Sequence, residues 1–171
     1  PLDKATYTIA VTVPAGYNVV ANGRLSELAH ADAVAGRTST NTYTWENDEP
    51  TASYLVTFHA GLFDTETMEG PDGITLIDAF PAELPRRERE IFRKTPEMLE
   101  AFSERFGPNP FATLGQTVLD DTEFNAALET QTMIMYDASS AHEPTVAHEI
   151  DHQLFGSSVS LERWQANWLK E

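Results

Sequence analysis

The side chains best suited to chemistry stand close together in the last quarter of this chain. His148, Glu149 and His152 form a His-Glu-x-x-His pattern. On a helix of about 3.6 residues per turn, residues four apart share a face, so both imidazoles can reach one point in space. This spacing is a zinc-binding signature, in which the glutamate acts as general base. The pattern therefore predicts a hydrolytic zinc site.

The sequence also offers a third ligand. Eighteen residues follow His152 before Glu171 is reached. Gly156 is a natural end for the first helix, Ser160 is a natural N-cap for a second, and Glu162 would favour the dipole of that second helix. The segment therefore predicts a helix-turn-helix that returns a carboxylate to the two imidazoles. Two histidines, one glutamate and a water form a zinc site of the catalytic type, with one position open.

A simpler interpretation fits the same residues. The His-Glu-x-x-His pattern would also suit the solvated face of an exposed helix, with Glu171 an ordinary surface acid. Trp164 and Trp168, four apart, would suit the apolar side of any helix. The spacing, the turn residues and the aromatic pair together favour the zinc interpretation.

Composition narrows the remaining possibilities. The 171 residues suffice for one compact domain or parts of two, and 41% apolar with 22% charged residues indicates a globular chain. A formal charge of −16 argues against a nucleic-acid partner. The chain has no cysteine, which excludes disulfides and thiolate metal sites. No apolar run approaches the roughly 20 residues that a membrane span needs.

Strand patterns dominate the first part of the chain. Short alternating segments between turns predict an antiparallel sheet. Asn22-Gly23 is typical of a hairpin turn, residues 25–37 are ambiguous, and residues 47–50 read as a loop. The predicted strands span residues 5–13, 17–21, 39–45 and 54–63.

The second part mixes helix and strand. Residues 83–106 show a helical apolar stripe that Pro96 should kink or split. Residues 120–123 form an acidic loop, for which solvated acids are a more ordinary interpretation than a calcium site. Strands are predicted at 73–80, 117–119 and 129–135. The last would lie beside the zinc helix, where a peptide can add as an extra strand.

A family resemblance follows from these residues. The run His-Glu-Ile-Asp-His-Gln-Leu-Phe-Gly from His148 to Gly156, with Trp164 and Trp168-Leu-Lys-Glu171 after it, resembles the zinc aminopeptidases of the aminopeptidase N family, which are gluzincins. The chain departs from the usual pattern at Asp151, Leu154 and Lys170, none of which is a ligand. The resemblance implies zinc held by His148, His152 and Glu171, with Glu149 as base.

A second match lies upstream. The segment from Asn125 to Tyr136 resembles the Gly-Ala-Met-Glu-Asn segment of that family and its following strand. Glu129 then matches the glutamate that holds the α-amine of the substrate, and Ala126 and Ala127 match its substrate-binding neighbours. The chain has Ala126, Leu128 and Thr130 in place of glycine, methionine and asparagine.

The resemblance also implies an architecture. It gives an α+β chain in which residues 1–68 end an antiparallel sheet domain and residues 69–171 begin a thermolysin-like catalytic domain. Because Glu171 is the last residue and the family's oxyanion-stabilising tyrosine lies beyond it, we expect a part of a larger enzyme that binds zinc weakly or not at all alone.

Three functions stay open at this point. The first is an aminopeptidase acting on peptides with a free N-terminus. The second is a gluzincin endopeptidase, which would be indifferent to a blocked N-terminus. The third is a non-catalytic peptide-binding module that keeps the motif.

Overall fold

The computed structural model describes residues 3–120 and 125–169. Within them the chain is a mixed α+β structure, mostly strands. The strands are β1 (Lys4–Pro14), β2 (Asn18–Ala21), β3 (Arg24–Ala31), β4 (Thr40–Ala52), β5 (Phe58–Gly61), β6 (Phe63–Glu69), β7 (Thr75–Pro81), β8 (Thr113–Leu119), β9 (Ala127–Leu128) and β10 (Met133–Asp137). The α-helices are α1 (Arg86–Arg89), α2 (Thr95–Phe106) and α3 (Glu143–Asp151). Short 3₁₀ segments span Ser53–Leu55, Pro71–Gly73, Glu90–Lys94 and Trp164–Leu169.

The first half forms antiparallel sheets, as its alternating pattern predicts. β1, β4 and β3 pair in that order, and β2 pairs with β5. Ile9 lies opposite Trp45 and Val11 lies opposite Tyr43, and the two aromatic side chains are buried. Side chains on one face of each strand therefore supply a hydrophobic core, and the intervening threonines face water.

Three local predictions in this half are wrong. The predicted strand 54–63 is interrupted, because Ser53–Leu55 form a 3₁₀ segment, β5 covers only Phe58–Gly61, and Phe63 already begins β6. Asn22-Gly23 does not close a hairpin, because β2 pairs with β5 while β3 pairs with β4. Residues 47–50 are not a loop either, since β4 continues through them and pairs Ala52 with Lys4 of β1. The register with β1 shifts inside this segment: Asn47 pairs with Tyr7 and Thr51 pairs with Ala5, so residues 48–50, with Pro50, form an exposed bulge of β4. The ambiguous residues 25–37 begin as β3, a fully exposed strand.

The second half contains a five-stranded sheet with a parallel centre. Its order is β6-β7-β8-β10-β9. β7, β8 and β10 are parallel, whereas β6 and β9 run antiparallel at the two edges. β8 is buried along nearly its whole length, as expected for a parallel strand covered on both faces. It begins at Thr113, four residues before the predicted strand.

Helices cover this sheet where the apolar stripe predicted them. The stretch from 83 to 106 is divided into α1, a 3₁₀ turn and α2, with Pro96 in the first turn of α2. This confirms the predicted split, because proline is tolerated only where its missing N–H costs nothing. Phe92 and Leu99 pack with Val146 and Ile150 of α3 in one core.

The predicted domain boundary at residue 68 stays a prediction. β6, which lies before that position, pairs along its length with β7 of the second sheet. No helix among residues 3–120 and 125–169 is long and apolar enough to cross a membrane.

Candidate functional site

The His-Glu-x-x-His segment forms the helix that its spacing predicts. Pro144 lies in the first turn of α3, and the helix ends at Asp151 with His152 still in helical conformation. Val146 and Ile150, four residues apart, are buried in the core. The interpretation as a solvated helix face fails for His152, which is only 2% exposed, and for Glu149, which is only 6% exposed, whereas His148 is exposed.

The two imidazoles point at a common place. Nε2 of His148 lies 3.1 Å from Nε2 of His152, and the rings meet edge to face with centroids 4.4 Å apart. Two nitrogens that bind one tetrahedral zinc at about 2.0–2.1 Å lie about 3.3 Å apart. The observed spacing therefore fits the nitrogen pair of a zinc site.

A second contact sets the tautomer of His152. Its Nδ1 lies 3.0 Å from the carbonyl oxygen of Phe155, which can only accept a hydrogen bond. The proton of a neutral imidazole therefore belongs on Nδ1, and the lone pair of Nε2 faces His148. Metal-binding histidines typically donate a hydrogen bond from their other ring N–H in this way.

Glu149 lies beside the imidazole pair in a buried position. It follows His148 on the helix, rotated about 100° around the axis. The buried Tyr136 of β10 lies close enough to feel its charge. Burial raises the pKa of the Tyr136 hydroxyl well above its usual range, and the carboxylates of Glu149 and Asp78 raise it further. A buried carboxylate next to two metal-type imidazoles suits proton transfer.

The segment after the helix differs from the prediction. Ser160 does not cap a second helix, because its hydroxyl donates to the carbonyls of Gly156 and Ser157. The next helical segment is the short 3₁₀ run that begins at Trp164. Glu171, the predicted third ligand, lies outside the described residues, as does Lys170.

Within the described ranges, no three His, Asp or Glu side chains converge on a possible metal position. The remaining histidines therefore do not join the pair. His30 is exposed and contacts Asn41, and His59 contacts the Thr57 hydroxyl. Burial lowers the pKa of His59 to about 4.

Glu129 lies in a turn rather than in the predicted strand 129–135. It follows β9 directly, is only 6% exposed, and precedes β10 by four positions. The chain cannot stay extended here because Thr132 adopts the left-handed conformation, with φ of 59°. β9 itself packs against α3. The carboxylate is therefore carried by a buried turn, residues 129–132, at the edge of the sheet where β9 packs against α3.

The two predicted neighbours of Glu129 are held by backbone pairing. Ala127 of β9 lies opposite Tyr136 of β10. The carbonyl of Ala126 accepts hydrogen bonds from the Asp137 N–H at 2.9 Å and the Ser140 hydroxyl at 2.7 Å. β9 is the last strand in its sheet. It could therefore accept a further extended segment along its outer side.

Sequence reasoning missed the buried polar residues around this turn. Asn22, Thr132 and Gln153 are almost completely buried. Thr132 belongs to the turn, and the side chains of Asn22 and Gln153 form hydrogen bonds with the backbone of the turn. The signals available for them were misleading or weak. Asn22-Gly23 has the pattern of a hairpin turn, and Gln153 stands out in the sequence only as part of the family motif.

No family model matches the chain. Its sequence and fold nevertheless define a class, because the chain is homologous to the M1 aminopeptidases and its fold matches part of an M1 zinc metallopeptidase. The resemblance stated from the motifs is thus confirmed at the level of homology. The mixed α+β class is confirmed as well.

Particular relatives can be named. Glutamyl aminopeptidase of Homo sapiens is 29% identical, with 100% of this chain and 19% of that protein covered. Aminopeptidase M1 of Arabidopsis thaliana is 27% identical, with 100% and 20% covered. The chain thus spans about a fifth of the length of these relatives.

Solved structures agree with these relatives. An M1 zinc metallopeptidase from Deinococcus radiodurans superposes with a TM-score of 0.87 at 30% identity, with 100% of this chain and 39% of that one covered. A mutant of that enzyme bound to a Tyr-Ser-Ala substrate gives a TM-score of 0.87 at 29% identity over the same shares.

Proposed function

We propose that this chain carries part of the active site of a zinc aminopeptidase that removes N-terminal residues from peptides. The observation that carries the proposal is the imidazole pair. Two Nε2 atoms 3.1 Å apart, one of them fixed as an acceptor by the Phe155 carbonyl, are a nitrogen donor set for zinc. Homology to M1 aminopeptidases supports the same reaction.

His148 and His152 would hold the zinc together with Glu171. When bound, the ion would make a water molecule acidic enough to attack a carbonyl near neutral pH. The residues of this chain determine which groups exchange protons. Glu149 would accept the proton of the attacking water and later donate it to the nitrogen of the leaving peptide. Its buried position beside His148 supports this assignment.

Glu129 would bind the α-ammonium group of the substrate. The turn that carries Glu129 follows β9, which packs against the zinc helix. An ammonium group held there would place only the first peptide bond near the catalytic base, and this would restrict cleavage to the N-terminal residue.

The substrate backbone would add along the outer side of β9, next to Ala126 and Ala127. The available edge of the five-stranded sheet supports this placement. Backbone pairing holds a peptide without selecting its side chains. The structure of the related Deinococcus enzyme with Tyr-Ser-Ala supports a peptide as the class of substrate.

The test is hydrolysis by the full-length protein of one peptide with a free N-terminus and of the same peptide acetylated. Zinc-dependent release of the first residue from the free peptide alone would support the proposal. Equal cleavage of both peptides would favour an endopeptidase. Binding without zinc-dependent hydrolysis of either would favour a non-catalytic module.

A further inference from the structure

The turn that carries Glu129 has an unusual backbone. Thr132, at its end, adopts a left-handed conformation with φ of 59° although it is β-branched and buried. Such a conformation is unfavourable for this residue type and persists only where surrounding contacts impose it. The contacts that impose it come from two separate parts of the chain.

The first set of contacts comes from the connection between β2 and β3. Asn22 is 0% exposed, and its Nδ2 donates to the carbonyls of Gln131 and, at 3.0 Å, Leu55. Its Oδ1 accepts the Thr57 N–H at 2.6 Å. One buried side chain thus bonds three backbone groups, one of them in the turn. The amide group is required because a carboxylate could not donate to the two carbonyls.

Gly23 continues this connection. Its N–H donates to the Thr132 hydroxyl at 2.7 Å, and that hydroxyl donates to the Gln131 carbonyl. A hydroxyl at position 132 is therefore both acceptor and donor. Neither bond is available to an apolar side chain of the same shape.

The second set of contacts comes from the end of the zinc helix. The Thr132 N–H donates to Oε1 of Gln153 at 2.9 Å. Gln153 is completely buried and directly follows His152. Thr132 is therefore bonded through its side chain to Gly23, in the connection between β2 and β3. Through its backbone it is bonded to Gln153, just after the end of α3.

We propose that Asn22 and Thr132 are positioning residues that hold the Glu129 turn in place against α3. The connection between β2 and β3 would then set where the substrate ammonium binds. This inference rests on the proposed function. The substrate ammonium must lie within bonding reach of Glu129 while its first carbonyl lies beside the catalytic base. A displacement of the turn by about 1 Å would spoil that match.

Thr132→Val, Thr132→Gly, Thr132→Ser and Asn22→Ala in the full-length protein test this role. Val and Gly both remove the hydroxyl, but Gly also removes the cost of the left-handed backbone. Ser keeps the hydroxyl. Thr95→Val is the matched control, because Thr95 is equally buried and its hydroxyl accepts a hydrogen bond from Gln116 at 2.9 Å.

Kinetics with a free-amine peptide give the first measurement. We expect KM to rise about tenfold or more in the Val, Gly and Asn22→Ala variants, with kcat changed less than about threefold. Ser should stay near the parent, and so should Thr95→Val. The Gly variant decides between explanations. It should raise KM as much as Val does while keeping a higher melting temperature than Val, whereas general destabilisation would make the rise in KM follow the fall in melting temperature.

Hydrogen–deuterium exchange gives a second measurement that needs no activity. The peptide covering residues 126–136 should exchange faster in the Val and Asn22→Ala variants and remain unchanged in Thr95→Val. Unchanged KM and unchanged exchange would overturn the positioning role. If the parent protein released no N-terminal residue while the exchange effects appeared, the proposed function would fail. The link to ammonium binding would then fail as well. The role of Asn22 and Thr132 in holding the turn would still stand.

Discussion

Nδ1 of His152 lies 3.0 Å from the carbonyl oxygen of Phe155, three residues further along the chain. Because a carbonyl can only accept, this contact fixes the imidazole tautomer and directs the Nε2 lone pair towards His148. The tight turn after α3 brings the Phe155 carbonyl next to His152. This turn thus determines which ring nitrogen of His152 faces His148.

The first prediction concerns metal binding. His152→Ala in the full-length protein should weaken zinc binding by about 100-fold or more, because it removes a ligand rather than an outer contact. Competition with a zinc-selective chelator dye measures the affinity. The control is His30→Ala, since His30 is exposed and contacts Asn41. Equal zinc affinity in the two variants would contradict the assignment of His152.

The second prediction concerns the base. Glu149→Gln should lower kcat by about 10²–10⁴-fold and leave the zinc content unchanged, because the amide keeps the shape but accepts no proton. Glu143→Gln is the control on the same helix, where Glu143 is exposed and pairs with Lys94 at 2.5 Å. Normal turnover in Glu149→Gln would assign the base elsewhere.

The third prediction concerns Glu129. Glu129→Gln should raise KM for a free-amine peptide by about 10–100-fold, since it removes the charge opposite the ammonium group. Any residual cleavage of the acetylated peptide should stay unchanged. Kinetics on the matched peptide pair measure this, and an equal loss on both peptides would count against an ammonium-binding role.

The fourth prediction concerns the buried Asp78. Burial raises the pKa of its carboxyl to about 7, against the hydrogen bond from Gln116 at 3.2 Å. Between the ordinary pKa of 3.8 and about 7, the folded state holds a proton that the unfolded state has lost. Stability therefore falls as the pH rises through this window.

Asp78→Asn removes this titration and should stabilise the protein at pH 8 by an amount on the order of a few kcal/mol. At pH 4 the substitution should be nearly neutral. Urea unfolding at both pH values measures the difference. The same change in unfolding free energy at pH 4 and pH 8 would show that Asp78 is not the titrating group.

The fifth prediction concerns Gly23, which lies between β2 and β3 and donates its N–H to the Thr132 hydroxyl. Its φ is +82°, and an added Cβ would collide with the carbonyl oxygen of Glu46. Gly23→Ala should cost about 3 kcal/mol through strain and collision together.

Gly36→Ala is the matched control for Gly23→Ala. Gly36 has nearly the same φ, +80°, with nothing within 4 Å of the added atom. Strain alone should cost about 1 kcal/mol there. Urea unfolding of both variants separates the two contributions, and equal costs would contradict the collision.

Predictions from local spacing succeeded where the determining contacts are local. The imidazole pair could be foreseen because positions 148 and 152 lie one turn apart on one helix, whatever surrounds it. The split at Pro96 follows from the missing N–H of proline in the same way. The alternation in β1 likewise showed which side chains face the core.

Predictions failed where distant residues decide the local conformation. Asn22-Gly23 has the chemistry of a hairpin turn, yet the Asn22 side chain bonds the carbonyl of Gln131, 109 positions away. Pro50 indicates a loop, but β4 continues through it as a bulge, because Asn47 on one side and Thr51 and Ala52 on the other both pair with β1. Thr132 gives no sequence signal for a left-handed turn, because β-branched residues disfavour that conformation.

The sequence by itself thus determined that His148 and His152 share one helix face, that Glu149 lies between them in the chain, and where most strands and helices lie, since these depend on periodicity within single elements. Only the tertiary structure decided that Glu129 lies in a turn, that the sheet behind it is parallel at its centre, and that Asn22 and Gln153 hold that turn. These features depend on contacts between different elements, which for Asn22 and Gln131 are 109 positions apart in the chain. The sequence pattern within one element does not predict such contacts.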